Sequence, residues 1–247
     1  MVHVRPGFRL LAINSNYCAR LNPWQLYDPI DPGHQLKWLA AELLEAERAG
    51  DAVHIIGHVP PDHRECTQSW LYNYIRIIER FQSMIKAQYF GHTHRDEFRI
   101  IYGLRDPNTP IGFQLISPSI TSYSQTNPAY RIYTVDEKSF EIIDYETYFF
   151  NLTETNFGGK VKPEWFLEYR SSETLGFTPL NGSNYDSFLK KLNNDPLEFE
   201  KYYRRYYVMS EVDIAKVWDL SRRGMILEDH QIHDPSIVVP ASIIPAS

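Results

Sequence analysis

Two apolar runs that each break at Gly-His constrain this chain more than any other feature. One reads VHIIGHVPP over residues 53–61, the other AQYFGHTH over residues 87–94. Each run has the length and bulk of a buried strand. Gly91 permits a sharp exit with unusual backbone angles, and the Pro-Pro pair after His58 stops the first strand from continuing. His58, His92 and His94 are thereby placed at strand exits of one sheet, where open α/β sheets build their sites. Imidazoles this close are a common way to hold transition-metal ions. One such motif is a weak signal; the same order met twice favours metal binding over chance loop histidines.

The neighbouring segments complete an alternating layer. Residues 8–14 read as a first strand, apolar enough to be buried on both faces. Asp31-Pro32-Gly33 is a helix entry, with Asp31 as cap and Pro32 in the first helical position. Leu36, Leu39, Ala40, Leu43 and Leu44 give an apolar stripe, and Gly50 closes that helix. Strand, helix, strand in this order predicts a parallel pair with a right-handed crossover. Residues 69–86 read as a second helix, with Trp70, Tyr74, Ile77, Ile78, Phe81 and Ile85 on one face. After His94 the pattern changes to short strands at 96–102, 111–116, 130–135 and 140–148, with turns between them that suggest antiparallel pairing. From residue 163 the chain reads as helical and charged, in stretches 163–176, 183–194 and 196–224, the last two separated at Asn193-Asn194-Asp195-Pro196. Residues 237–247 read as loose. The fold class is α/β (α+β), divided at 1–150 and 151–247.

Composition narrows the partners. A hydrophobic content of 43% supports a real core, and a net charge of −6 argues against a nucleic-acid polymer, which wants a basic face. No apolar run is long enough to span a bilayer. The two cysteines, Cys18 and Cys66, each follow a strand exit; they are compatible with a bridge or with free thiols. Asn151-Leu-Thr and Asn181-Gly-Ser are glycosylation sequons. No basic start followed by an apolar core marks a signal peptide, and a core strand so close to Met1 suggests missing upstream sequence. His54 reads as a core histidine, while Asp62-His63 and the Asp229–His233 cluster read as solvated loop residues. Tyr202, Tyr203, Tyr206 and Tyr207 read as packing around a helix, with a membrane-facing patch as the other possibility.

The ordered set HIIGHVPP, SWLYNYIRIIERF, AQYFGHTHRDEF, NPAYRIYTVD and DYETYFFNLTETN resembles the second half of the calcineurin-like metallophosphoesterases, in the acid sphingomyelinase branch. The likeness runs over residues 8–175 and more loosely beyond. It implies a β-sandwich with flanking helices, followed by a helical C-terminal region. It implies two zinc ions ~3.5–4 Å apart, a bridging hydroxide that attacks phosphorus, and sphingomyelin cleaved to ceramide and phosphocholine at a membrane surface. His94 is similar to a ligand of the first metal, His58 and His92 to ligands of the second, each with its other ring nitrogen held by a neighbour. Tyr123 falls where the branch has a tyrosine near the mouth, suited to a choline cation. Cys18 and Cys66 fall where the branch has a disulfide, and closing that loop is worth about 4 kcal/mol. Asn151 matches a glycosylation position, Asn181 none clearly, and the setting implied is secreted or lysosomal.

The family's first half supplies an Asp-x-His pair, a bridging Asp, and an Asn followed by the His that acts as leaving-group acid; this chain shows none of them. Three imidazoles cannot hold two metals tightly, so the chain alone is expected to bind metal weakly and hydrolyse little. The competing readings are a non-catalytic paralogue that binds lipid head groups or a protein, and a nucleotide phosphodiesterase of the sister branch. A missing half further predicts an exposed sheet edge and poor solubility.

Overall fold

The computed structural model describes residues 1–159, 162–211 and 220–233. Its mixed α/β architecture is built on one seven-stranded sheet. Strand β1 (Val2–Arg5) turns at Gly7 into β2 (Phe8–Ala12), an antiparallel hairpin; β2 is the expected first strand, and β1 before it was not anticipated. A 3-10 turn at Pro32–His34 then leads into α1 (Gln35–Ala49). The helix begins later than Pro32 because Gly33 and His34 both take positive φ. Asp31 still caps it across that turn, accepting from the backbone N–H of Leu36 (2.7 Å) and Lys37 (3.0 Å). Gly50 ends it in the left-handed conformation.

Strand β3 (Ala52–Ile56), α2 (Gln68–Arg80) and β4 (Ile85–Phe90) follow. The second helix is shorter than the stripe suggested: Phe81 is its C-cap and Ile85 already belongs to β4. Strands β2, β3 and β4 are parallel neighbours, with Ala12 opposite Ile56 and Ile56 opposite Tyr89. Strand β5 (Glu97–Tyr102) pairs antiparallel with β6 (Pro110–Ile116), which lies parallel to β4 with Phe90 opposite Ile116. Strands β7 (Ala129–Val135) and β8 (Ile142–Phe149) start a second, antiparallel sheet. Asn151 caps the short α3 (Leu152–Phe157).

The chain then departs from expectation. Residues around 163–176, read as helix, form β9 (Phe166–Arg170) on the edge of β8, and only then α4 (Ser171–Leu175). Sheet pairing overrides helix propensity here. In that register Tyr169 donates its hydroxyl to Asp96 (2.8 Å), and Arg170 pairs with Glu146 (2.7 Å). Helix α5 (Gly182–Asn194) and α6 (Pro196–Tyr206) flank the expected break, where Asp195 accepts from the N–H of Leu197 and Glu198. The long last helix does not run through: Val208 and Met209 take positive φ after α6. Helix α7 (Leu220–Asp229) and β10 (Gln231–Ile232) follow, the latter parallel to β5. The remaining part of that expected helix, 212–219, and the loose stretch 237–247 lie outside the described residues.

The large sheet runs β1-β2-β3-β4-β6-β5-β10, the small one β7-β8-β9. One core fills the space between the large sheet and α1 and α2, around Leu36, Leu43, Trp70, Tyr74 and Ile55. A second joins the opposite face to the small sheet and to α5 and α6, around Phe98, Phe113, Tyr145, Tyr185 and Phe199. Tyr202, Tyr203 and Tyr207 are buried there, so that tyrosine group packs rather than facing a membrane.

Candidate metal site at the end of the parallel strands

The exits of β3 and β4 are stitched together. Gly57 N–H donates to Tyr89 O and Gly91 N–H donates to His58 O, both at 3.0 Å. A Cβ at Gly57 would meet Phe90 Cε1 at 2.7 Å, so close packing requires that glycine. The unusual angles expected at Gly91 fall instead on the histidines, with φ of 73° at His92 and 61° at His94. Non-glycine residues in that region carry strain and cluster at functional sites.

His58 and His92 meet edge to face, with ring centroids 5.3 Å apart. His92 Nε2 lies 3.3 Å from Glu65 Oε2. His94 Nδ1 shares a hydrogen bond with Ser124 Oγ at 2.9 Å. The buried Ser15 hydroxyl oxygen accepts from the backbone N–H of His58 (3.1 Å) and Val59 (2.7 Å) and fixes the first exit. Tyr123, next to Ser124, is 88% exposed.

Loop 62–67 is held from below. Asp62 is buried, ion-paired to Arg99, and accepts from the N–H of Arg64 and Glu65 (2.7 Å each). It is therefore not a solvated loop residue. Neither are Asp229, paired with Arg64, nor His230, buried between Tyr202 and Ile226 O, nor His233, stacked on Tyr102 at 4.4 Å. His54 is a core histidine as expected, bonded to Phe140 O (2.8 Å) and Tyr89 OH (3.2 Å). Burial pushes the Glu97 carboxyl up to about 7 and His230 down to about 3. Asp96, beside them, is paired with Arg131.

Cys18 and Cys66 form a disulfide. It brings segment 13–22 against loop 62–67, where Arg20 N–H donates to Glu65 O (3.0 Å) and Thr67 Oγ1 to Gln25 Oε1 (2.7 Å). Ser15 and Glu65, which no sequence motif singled out, sit within three residues of those cysteines. Asn151 and Asn181 both serve as helix caps through their side-chain oxygens.

The donor set suits zinc in kind: the imidazoles of His58 and His92 meet, and a ring nitrogen of His92 and of His94 is held by a neighbour. It does not suffice in number. Among the described residues no group of three or more His, Cys, Asp or Glu side chains converges closely enough to hold a metal ion.

Residues 112–217 match the family model described as acid sphingomyelin phosphodiesterase C-terminal region. The chain is 41% identical over 207 residues to a sphingomyelin phosphodiesterase of Bos taurus, covering 82% of this chain and 33% of that protein. It is 40% identical over 206 residues to the sphingomyelin phosphodiesterase of Homo sapiens, covering 82% and 32%. It is 33% identical over 211 residues to the human acid sphingomyelinase-like phosphodiesterase 3b, covering 79% and 45%. The chain thus spans about a third of the length of the sphingomyelin phosphodiesterases it matches. It belongs to the acid sphingomyelinase family, of which it corresponds to the C-terminal portion.

Proposed function

We propose that this chain forms one wall of the active site of a zinc-dependent phosphodiesterase that hydrolyses sphingomyelin to ceramide and phosphocholine. The observation that carries this reading is the meeting of His58 and His92 at the joined exits of β3 and β4, with His94 two residues on. When bound, zinc supplies Lewis-acid polarisation of the phosphoryl group. The chain's own part is to hold neutral imidazoles in place. Glu65 accepts a hydrogen bond from His92 Nε2–H, which leaves the His92 Nδ1 lone pair for a ligand. Ser124 occupies His94 Nδ1 and leaves Nε2. Tyr123, at the mouth, offers a ring face to the choline cation.

Zinc ordinarily takes four ligands, and His58, His92 and His94 are too few for two ions. We infer weak zinc binding and little turnover by these 247 residues on their own. The disulfide and the two sequons support a secreted or lysosomal setting. The 41% identity to a protein named sphingomyelin phosphodiesterase supports sphingomyelin as the substrate.

Calorimetric titration of the chain with zinc, beside its His92→Ala and His94→Ala variants, tests the reading. Binding that each substitution weakens at least tenfold supports it. Zinc binding indifferent to both substitutions contradicts it.

A further inference from the structure

Strands β2, β3, β4 and β6 are parallel and adjacent, so the loops after all four emerge at the same end of the sheet. The middle two carry the histidines. The outer two carry loops with large exposed apolar side chains. After β2 these are Leu21 (96% exposed), Trp24 (68%), Leu26 (90%) and Tyr27 (89%); after β6 they are Ile120 (68%) and Tyr123 (88%). Each loop is fastened to the site. Arg20 donates to Glu65 O, and Glu65 touches His92; Ser124 bonds His94.

We infer that these two loops are a docking surface for a zwitterionic lipid bilayer, straddling the histidines so that a head group is presented to them. The inference deepens the lipid-phosphodiesterase reading and rests on it for the choice of lipid. Three features select the occupant. Trp and Tyr beside Leu and Ile is the composition of side chains that settle at a membrane interface. Residues 21–27 and 117–125 contain no charged side chain, and the chain as a whole carries −6, so the apolar tips carry no cation to favour an anionic leaflet. The exposed side chains sit on loops fixed by a disulfide, capped turns and hydrogen bonds, so little order has to be gained on contact.

Flotation of the 247-residue chain with phosphatidylcholine–sphingomyelin vesicles tests this. The expected result is co-flotation that survives 0.5 M salt. It should fall about tenfold in Trp24→Ser/Leu26→Ser and several-fold in Ile120→Ser, because burying one such side chain is worth about a factor of ten or more. His92→Ala should float like the unaltered chain, although it disables zinc binding; loss of zinc binding and loss of docking are thereby read separately. Absence of flotation, flotation equal in the loop variants, or burial of these loops in a self-associated form that does not float would overturn the proposal.

Discussion

His92 and His94 hold left-handed backbone angles that a glycine would take without strain, and the glycine beside them does not take them. For a residue with a Cβ this costs roughly 1–2 kcal/mol. His92→Gly is therefore expected to leave the metal-free protein as stable or up to ~1 kcal/mol more stable, the gain partly offset by chain entropy, while zinc binding is lost. Urea unfolding checks it; a loss above ~1 kcal/mol would assign His92 to packing instead. Gly57→Ala should cost about 1–3 kcal/mol, because its Cβ would press on the buried Phe90 ring.

Glu97 and His230 give opposite pH trends. The folded Glu97 value, about 7, lies above its ordinary 4.5 because of burial. Its contribution is therefore complete below 4.5 and lost as pH rises towards 7, a loss of up to about 3 kcal/mol. The folded His230 value, about 3, lies below its ordinary 6.5. That contribution is complete above 6.5 and lost as pH falls towards 3. Glu97→Gln should raise the urea midpoint at pH 7.5 relative to the unaltered protein by more than it does at pH 4.5. An equal effect at both would show that Glu97 is not the titrating group.

At the scale of elements, the alternating strand–helix order of residues 8–90 was legible because burial on both faces leaves long apolar runs and a clear helical period. What escaped was decided by partners distant in sequence. Residues 166–170 have helix-forming neighbours, yet β8 offers an open edge and Asp96 a partner for Tyr169. Strand β1 alternates Val2 and Val4 with His3 and Arg5, but it is four residues long and exposed throughout, too short a run to stand out. The position of the histidines at the strand exits was legible from the strand–glycine–histidine order. Ser15, Glu65 and Ser124 were not, since a single polar residue in a loop carries no pattern until the fold places it. The disulfide links these scales: Cys18→Ser/Cys66→Ser should lower the melting temperature by on the order of 10 °C. It should also weaken zinc binding, because Ser15 and Glu65 lose their common tether. Calorimetry reads the first and titration the second; zinc affinity unchanged by a measurable fall in melting temperature would separate the clasp from the site.

The whole molecule is organised as helices, large sheet, then small sheet with helices, and the candidate site lies at the carboxyl end of the middle layer. Asp62, which looked like a solvated loop residue in the sequence, is instead in a buried ion pair with Arg99, and Asp96 is in another with Arg131; they flank the loops on which the histidines stand. Edge strand β1 leaves Val2 and Val4 exposed, the feature to change if the chain proves poorly soluble. The proposed zinc site lies where His58 and His92 meet, with His94 two residues on. Anomalous diffraction from crystals soaked in zinc tests it most directly. The expected result is a peak about 2.0–2.1 Å from an imidazole nitrogen of His58 and of His92. Zinc bound elsewhere at saturation, with these two rings turned away from one another, would contradict it.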